Sequence, residues 1–249
     1  MASLGITLRD AWIVHGGHSE VLCVENEVGL QQYREEGIPE KKLHITGSPY
    51  CDIMFESLKS DVDAAKALHQ KRKIETGLTK ILVSWPPSYH ETYPDKNEFD
   101  TYEDMTRTVL SFLNSLPDTK LTVSLHPAVG DNVRAILQEL GVTVSSEYLL
   151  DLIPKNDIFT TCFSSTIRWA LAAGKIVINY DLYKFAISTY DSAPGFVNAD
   201  NFSSYQQSFL RLVGDDDDFS LLASRQAVNA ADWGELDGRS TERIFAKVD

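Results

Sequence analysis

The sequence predicts an α/β fold in which a doubly wound parallel sheet carries helices on both faces. Short apolar strands alternate along the chain with helical segments, and several of these segments end at a glycine. Such alternation is typical of strand–helix–strand units, whose strands pair in parallel. The 249 residues are also enough to bury a sizeable core without disulfides or a structural metal.

The first part of the chain contributes two predicted strands. Val21–Val24 is predicted to be a buried strand, and a helix follows over residues 27–36. Leu43–Thr46 is the second strand, and a polar helix is predicted over residues 61–73. Two strands are too few for an independent sheet domain. We therefore expect either that this segment extends the main sheet or that it is the end of a larger domain.

From Lys80 onward the pattern is complete enough for a Rossmann-like domain. Its five predicted strands cover residues 80–84, 121–125, 142–144, 158–161 and 176–180, and its helices cover 102–116, 132–140 and 166–173. Gly141 and Gly174 stand just beyond two of these helices, where glycine commonly ends a helix. The chain from about residue 205 is predicted to be helical. Two parts follow: residues 1–60, a partial N-terminal segment, and residues 61–249, the Rossmann-like domain with C-terminal helices.

Charge and cysteine content exclude several classes of function. The chain holds 23 Lys and Arg against 36 Asp and Glu, for a net charge of −13. Nucleic acids and anionic membranes are bound by dense basic surfaces, so we expect no nucleic-acid partner. The three cysteines form no CxxC pair, and we expect reduced thiols, no metal and no cofactor. Since no apolar run could span a bilayer and no signal-peptide pattern occurs, the expected location is the cytoplasm.

The first candidate site residue follows a predicted strand, because ligands of open parallel sheets bind beyond the carboxyl ends of the strands. His126 comes directly after the strand 121–125, and Pro127 stiffens the turn that follows. The imidazole can donate to a phosphate oxygen without the flexibility of a lysine. A histidine that merely caps the next turn is the alternative.

Three hydroxyl side chains follow another strand. Ser164, Ser165 and Thr166 stand between the strand 158–161 and the next helix. Hydroxyls beside the free N–H groups of a helix N-terminus favour an anion such as phosphate. Ordinary capping of the helix by one serine is the alternative.

Three further places hold candidates. The long segment Trp85–Phe99, which includes His90, is interpreted as a lid or a solvated insertion. His15 and His18 flank two glycines, which favours a turn that approaches a ligand over a metal site. The tract Asp215–Asp218 is predicted to be a solvated turn that caps the next helix. No GxGxxG, P-loop or HExxH pattern occurs, which excludes dinucleotide, P-loop and zincin sites.

Taken in order, these motifs resemble the GT-B glycosyltransferase superfamily over about residues 21–185. The run EGIPEK at 36–41 and ITGSP at 45–49 resembles the end of a GT-B N-terminal domain and its crossing to the second domain. The HP pair at His126 and the SS pair at Ser164 resemble those of bacterial sialyltransferases and related CMP-sugar transferases. UDP-GlcNAc 2-epimerases and CDP-glycerol transferases are relatives with a similar pattern.

The resemblance implies the nucleotide-binding half of a metal-independent glycosyltransferase in bacterial surface-polysaccharide synthesis. Its donor would be a CMP-sugar or another NDP-sugar, and its acceptor a carbohydrate. The implied ligand-binding residues are His126, Pro127, Ser164, Ser165 and Thr166 around the phosphate, with Tyr180 and Asp181 closing the pocket. The candidate bases are His15, His18 and His90, together with Glu25.

Two departures from the pattern keep alternatives open. UDP-GlcNAc 2-epimerases carry a His-Arg pair and a Ser-Gly-Gly turn where this chain has Trp85-Pro86 and Ser164-Ser165. An epimerase-like enzyme and a non-catalytic nucleotide-binding module are therefore the alternatives. Most of a GT-B N-terminal domain is also missing, so we expect a further domain or a partner chain to complete the enzyme. Peripheral contact with a membrane is compatible with either arrangement.

Overall fold

A computed structural model gives the architecture and describes residues 19–60, 77–186 and 188–248. Its strands are β1 (Leu22–Val24), β2 (Leu43–Ile45), β3 (Thr79–Trp85), β4 (Thr119–Leu125), β5 (Thr143–Val144), β6 (Ile158–Thr161), β7 (Ile176–Tyr180) and β8 (Phe196–Ala199). Its α-helices are α1 (Glu27–Glu35), α2 (Pro49–Ser60), α3 (Tyr102–Asn114), α4 (Asp131–Glu139), α5 (Leu149–Leu152), α6 (Ile167–Ala172), α7 (Phe202–Gly214), α8 (Asp216–Val228) and α9 (Ser240–Val248). The helix expected over residues 61–73 lies outside the described residues.

Six strands form one parallel sheet in the order β5-β4-β3-β6-β7-β8. The sheet begins at its centre with β3, extends outward through β4 and β5, and resumes on the other side of β3 with β6. The connections from β3 and β6 therefore diverge. In doubly wound sheets, such a switch point opens a crevice at the carboxyl ends of the strands. The α/β, Rossmann-like prediction is confirmed.

Apolar side chains cover both faces of this sheet. Ile81 and Val83 of β3 pack in one core with Val109 of α3, whereas Leu82 packs in a second core with Leu171 of α6. Successive residues of a strand point to opposite faces, so a strand between two helical layers must be apolar at nearly every position. The run of apolar residues in β3 is the local cause of the three-layer arrangement.

β1 and β2 form a separate two-stranded parallel sheet. Val24, Leu30 and Leu43 make its small core together with α1. Among the described residues neither strand pairs with the main sheet, so the N-terminal segment does not extend that sheet.

The C-terminal helix α9 packs back on this N-terminal part. The Asp52 carboxylate accepts the N–H groups of Ser240 and Thr241 at 2.9 and 2.8 Å, and Arg243 Nε donates to the Thr46 carbonyl at 2.8 Å. Burial by itself would raise the pKa of Asp52, but the hydrogen bonds from Thr241 and Ser240 outweigh it and leave this pKa below its usual value. Asp52 thus acts as an N-terminal cap for α9 across a long stretch of sequence.

The prediction did not include β8, α2 or α5. β8 is an edge strand with partly exposed residues, so it lacks the apolar run by which buried strands are recognised. α2 begins at Pro49, in a stretch where no helix is predicted. Proline is tolerated at the first helical position because that N–H has no partner within the helix.

The aspartate tract is a capping turn, as predicted. The Asp215 carboxylate accepts the N–H groups of Asp217 and Asp218 at 2.9 and 3.0 Å, and α8 starts there. Within the described ranges no group of three His, Cys, Asp or Glu side chains is arranged to hold a metal ion.

Cysteine burial is uneven: Cys51 and Cys162 are buried, whereas Cys23 is exposed, and all three are free thiols. No helix in the described part of the chain has the length and apolar character that a membrane span requires.

Candidate functional site

Three hydroxyl-bearing residues lie side by side at the carboxyl edge of the main sheet. The strand register pairs Ser84 of β3 with Ser124 of β4 on one side and with Thr161 of β6 on the other. Thr161 Oγ1 donates to the Ser84 carbonyl oxygen at 3.0 Å, which fixes the end of β6 against β3. The sheet edge at the switch point is therefore polar.

A cavity of about 680 Å³ opens beyond this edge. Its lining consists of residues 84–87, Tyr89, 124–127, 146–149, Thr161 and 163–166. These residues end β3, β4 and β6 or belong to the loops that follow β3 to β6. The volume lies within the range of about 300–1,000 Å³ that is usual for small-molecule sites.

The lining of this cavity combines polar and apolar side chains and is nearly uncharged. Its single Asp, Glu, Lys or Arg side chain among the described residues is Glu147, and Lys155 Nζ binds that carboxylate at 3.2 Å. An anion in the cavity would therefore meet neutral donors from hydroxyls, backbone and an imidazole. The chain's net charge of −13 does not oppose such a ligand, because the acidic residues lie mostly elsewhere.

His126 lies at the mouth of the cavity with its ring orientation fixed by the backbone. The Nδ1 atom accepts the N–H of Ala128 at 3.1 Å, and the His126 N–H donates to the Trp85 carbonyl at 3.0 Å. When Nδ1 is an acceptor, the neutral ring carries its proton on Nε2. His126 therefore both caps its own turn and keeps an Nε2 donor for a ligand; Pro127 lies beside it in the lining.

The three residues Ser164, Ser165 and Thr166 form a tight turn in the opposite wall. Phe163 before them has φ of 58° and donates its N–H to the Asn179 side chain at 2.9 Å. Ser164 Oγ lies 2.8 Å from Thr166 Oγ1 and accepts the Thr166 N–H at 3.2 Å. The turn thus places its hydroxyls together on the cavity side.

Helix α6, which starts after this turn, is shorter than expected. It has six residues, Ile167–Ala172, and Thr166 at its N-cap makes no side-chain capping bond. A helix this short carries a smaller aligned dipole than the predicted one. Anion binding at the turn would depend mainly on the hydroxyl groups.

Arg168 connects this turn to the N-terminal part of the chain. Its Nε donates to the Ser165 carbonyl at 3.0 Å, and its Nη1 donates to the Glu25 carboxylate at 2.8 Å. Both side chains are about one-third exposed, at 35% and 32%. Glu25, a candidate base, is therefore ion-paired beside the turn and is not part of the cavity lining.

The loop between β3 and α3 forms a further wall of the cavity. Tyr183 Oη accepts the N–H of Tyr89 at 3.0 Å and lies 3.1 Å from His90 Nδ1, and the Tyr102 hydroxyl donates to the Pro86 carbonyl. Tyr89 lines the cavity, whereas His90 does not. Burial lowers the pKa of His90, and its Nε2 is buried without a partner among the described residues. The structure therefore does not bring His90 to the site.

Tyr180 and Asp181 lie behind the cavity and not in its lining. Both are buried: the Tyr180 hydroxyl donates to Glu98, and the Asp181 carboxylate accepts the N–H groups of Phe185 and Ala186 at 2.8 and 2.9 Å. Tyr180 shares its face of β7 with core residues, which is why it points away from the crevice. Asp181 instead holds the chain segment that follows β7, and Tyr180 is bonded to the loop between β3 and α3.

The remaining sequence candidates, His15 and His18, lie outside the described residues. The cavity also includes groups that the motif search missed, namely Ser84, Ser124 and the loop 146–149. A hydroxyl residue near the end of two successive strands is a usable signal for the first two. No local pattern marks the loop, because only the strand order places β5 beside the site.

Comparison with known proteins gives structural likeness alone. No protein-family model matches the sequence, and no curated protein is similar to it. The fold is similar to UDP-GlcNAc 2-epimerase from Neisseria meningitidis, solved bound to UDP-GlcNAc, with a TM-score of 0.62, 18% identity and coverage of 92% of this chain and 62% of that one.

Two other solved structures are similar to a comparable degree. One is MnaA of S. aureus with UDP, with a TM-score of 0.63, 16% identity and coverage of 94% and 60% of the two chains. The other is a variant of the wall teichoic acid polymerase TagF. Its TM-score is 0.58 at 12% identity, and the match covers 97% of this chain and 64% of that one. The chain thus spans between 60% and 64% of the length of these three structures. These proteins have the GT-B fold, and this chain is similar in fold to about 60% of their length, with the cavity in its Rossmann-like sheet.

Proposed function

We propose that the chain is the donor-binding part of a glycosyltransferase that uses a nucleotide-sugar, a CMP-sugar or another NDP-sugar, in bacterial surface-polysaccharide synthesis. The observation that carries the proposal is the cavity at the switch point, whose donors come from three separate strand ends. Its fold neighbours include structures with UDP-GlcNAc and with UDP, which supports a nucleotide-linked ligand.

The phosphate of the donor would lie between His126 and the turn Ser164–Thr166. In the proposed transfer, the acceptor hydroxyl oxygen bonds to the sugar carbon and gives its proton to a base, while the bond from that carbon to the phosphate oxygen breaks and negative charge grows on the departing nucleotide. The His126 Nε2–H and the hydroxyls of the turn donate to those oxygens, and their fixed geometry stabilises the charge without a basic side chain. No metal ion is needed for this step.

The nucleobase would lie against an exposed aromatic ring of the lining. Tyr148 and Tyr89 line the cavity with 52% and 37% of their surfaces exposed. Exposed aromatic rings favour stacking of a planar base, which supplies affinity with little preference among bases. The two tyrosines thus fit the nucleoside part of the donor.

Transfer also requires a base for the acceptor hydroxyl. In the described lining the imidazole of His126 serves the leaving group in this scheme, and the Glu147 carboxylate is paired with Lys155. We therefore infer that the chain binds the donor but turns it over slowly unless a further domain or a partner chain supplies the base.

An epimerase-like enzyme is the second candidate, favoured by the likeness to two UDP-GlcNAc 2-epimerases, one of them a putative enzyme from Listeria monocytogenes. The lining offers Trp85 and Pro86 where the epimerase pattern has a His-Arg pair, which counts against it. A non-catalytic module would keep the pocket and lack turnover.

A thermal-shift panel with CMP, CDP, UDP and GDP, followed by calorimetric titration, tests the proposal. Binding of at least one nucleotide is expected, and no binding of any of them at millimolar concentration refutes the nucleotide site. Formation of UDP-ManNAc from UDP-GlcNAc would favour the epimerase. Binding without transfer, even when a cognate N-terminal domain is added, would favour the non-catalytic module.

A further inference from the structure

An ion pair between Glu25 and Arg168 joins the small N-terminal sheet to a wall of the cavity. Glu25 directly follows β1, and Arg168 is the second residue of α6. Their closest atoms, Glu25 Oε2 and Arg168 Nη1, lie 2.8 Å apart although the two residues are 143 positions apart in sequence. The pair therefore depends on the relative position of the two sheets.

Arg168 acts on the cavity through the backbone of Ser165, which lies three residues before it in the chain. Its Nε donates to the Ser165 carbonyl at 3.0 Å, and Ser165 lines the cavity while Arg168 does not. One guanidinium thus bonds to the turn and to the carboxylate at the same time. Because these donors belong to one rigid plane, anchoring Nη1 also fixes the direction of Nε.

The residue that follows Glu25 in the chain is held in place by its side chain. The Asn26 side chain accepts the Gly29 N–H at 2.8 Å and donates to the Trp233 carbonyl at 2.7 Å. Glu25 is thus attached to a pinned backbone. With only about one-third of each side chain exposed, the pair is partly shielded from water, which strengthens it relative to a fully exposed pair.

We propose that Glu25 and Arg168 are a positioning pair, through which the N-terminal sheet fixes the turn Ser164–Thr166 and so sets the affinity of the cavity for the phosphate of a nucleotide. This inference rests on the proposed function for its ligand. Neither residue touches the ligand. A displacement of the N-terminal sheet that separates the pair would loosen the turn and weaken nucleotide binding.

The test compares Glu25→Ala, Arg168→Ala and the double variant with wild type. A matched control is Arg107→Ala, because Arg107 pairs with Glu139 at the same distance of 2.8 Å but between α3 and α4, away from the cavity. Hydrogen exchange of peptides covering residues 161–170 is measured without ligand, and calorimetry measures the affinity for the nucleotide that binds most tightly in the thermal-shift panel.

Both single variants are expected to speed exchange in residues 161–170 and to weaken nucleotide binding about tenfold, the effect of one charge-assisted hydrogen bond. The double variant should be no worse than Arg168→Ala, and Arg107→Ala should match wild type. Glu25→Gln keeps an oxygen that accepts from Arg168, so it should lie between wild type and Glu25→Ala; it also replaces Glu25→Ala if that variant fails to fold.

Unchanged hydrogen exchange in the Glu25 variants would refute the positioning role of the pair. Losses of nucleotide affinity in the two single variants that simply add in the double variant would refute it as well. If wild type binds none of CMP, CDP, UDP and GDP, the proposed function fails, and the exchange measurements still decide whether the pair positions the turn.

Discussion

Replacing His126 by Ala is the most direct perturbation of the candidate site. The side chain is exposed at the cavity mouth, with Nδ1 committed to the Ala128 N–H and Nε2 left as the donor. A hydrogen bond to a charged group contributes about 1.5–3 kcal/mol. Since water competes at an exposed position, we take the lower end, about 1.5 kcal/mol, which corresponds to a roughly tenfold rise in the nucleotide Kd.

Calorimetric titration with the tightest-binding nucleotide from the thermal-shift panel measures this change. Two controls frame it: His126→Asn keeps an N–H donor and should lose less affinity, and His44→Ala removes a half-buried imidazole from β2, outside the cavity lining. A Kd for His126→Ala equal to that of wild type would refute the placement of the phosphate beside His126.

Three further outcomes are expected. Asp52→Ala removes the cap of α9 and should lower the free energy of unfolding by about 1–2 kcal/mol at pH 7 in urea denaturation. Because the folded-state pKa of Asp52 is depressed, this advantage of wild type is fully present above about pH 4 and is lost as the pH falls through the folded-state pKa; an advantage that persists in stronger acid would contradict the assignment. Tyr180→Phe removes the donor to Glu98 and should lower the free energy of unfolding by about 1–2 kcal/mol while the nucleotide Kd stays unchanged. A raised nucleotide Kd would show that Tyr180 contributes to the site after all. In a colorimetric thiol titration of the native protein, Cys23 should react rapidly and the other two cysteines slowly, because burial raises their pKa to about 12; two rapidly reacting thiols would show that one of them is accessible.

The elements of the main sheet were largely predictable because their causes are local. Strands such as β3 and β7 lie between two helical layers and must be apolar at almost every position, which is visible in the sequence. β8 was not predictable in this way, since an edge strand has exposed residues and takes its conformation from pairing with β7.

Tyr180 shows where reasoning from strand ends fails. It ends β7, and strand ends in this fold class meet the ligand crevice. Side chains alternate along a strand, however, and Tyr180 lies on the same face as Ile176 and Ile178, which pack in the core beside α7. A period of two counted back from the strand end would have placed it in the core.

The sequence by itself determined the α/β class, the approximate ends of the helices before Gly141 and Gly174, and His126 and Ser164–Thr166 as candidates, because these depend on neighbouring residues in the chain. Only the tertiary structure decided that these groups share one cavity with Ser84, Ser124 and the loop 146–149. It also decided that Arg168 reaches Glu25. Strand order and register bring distant residues together, and both are settled by burial of apolar surface over the whole domain, not by any local pattern. The acidic balance of the chain is thereby compatible with an anionic ligand, since the cavity is lined by neutral donors.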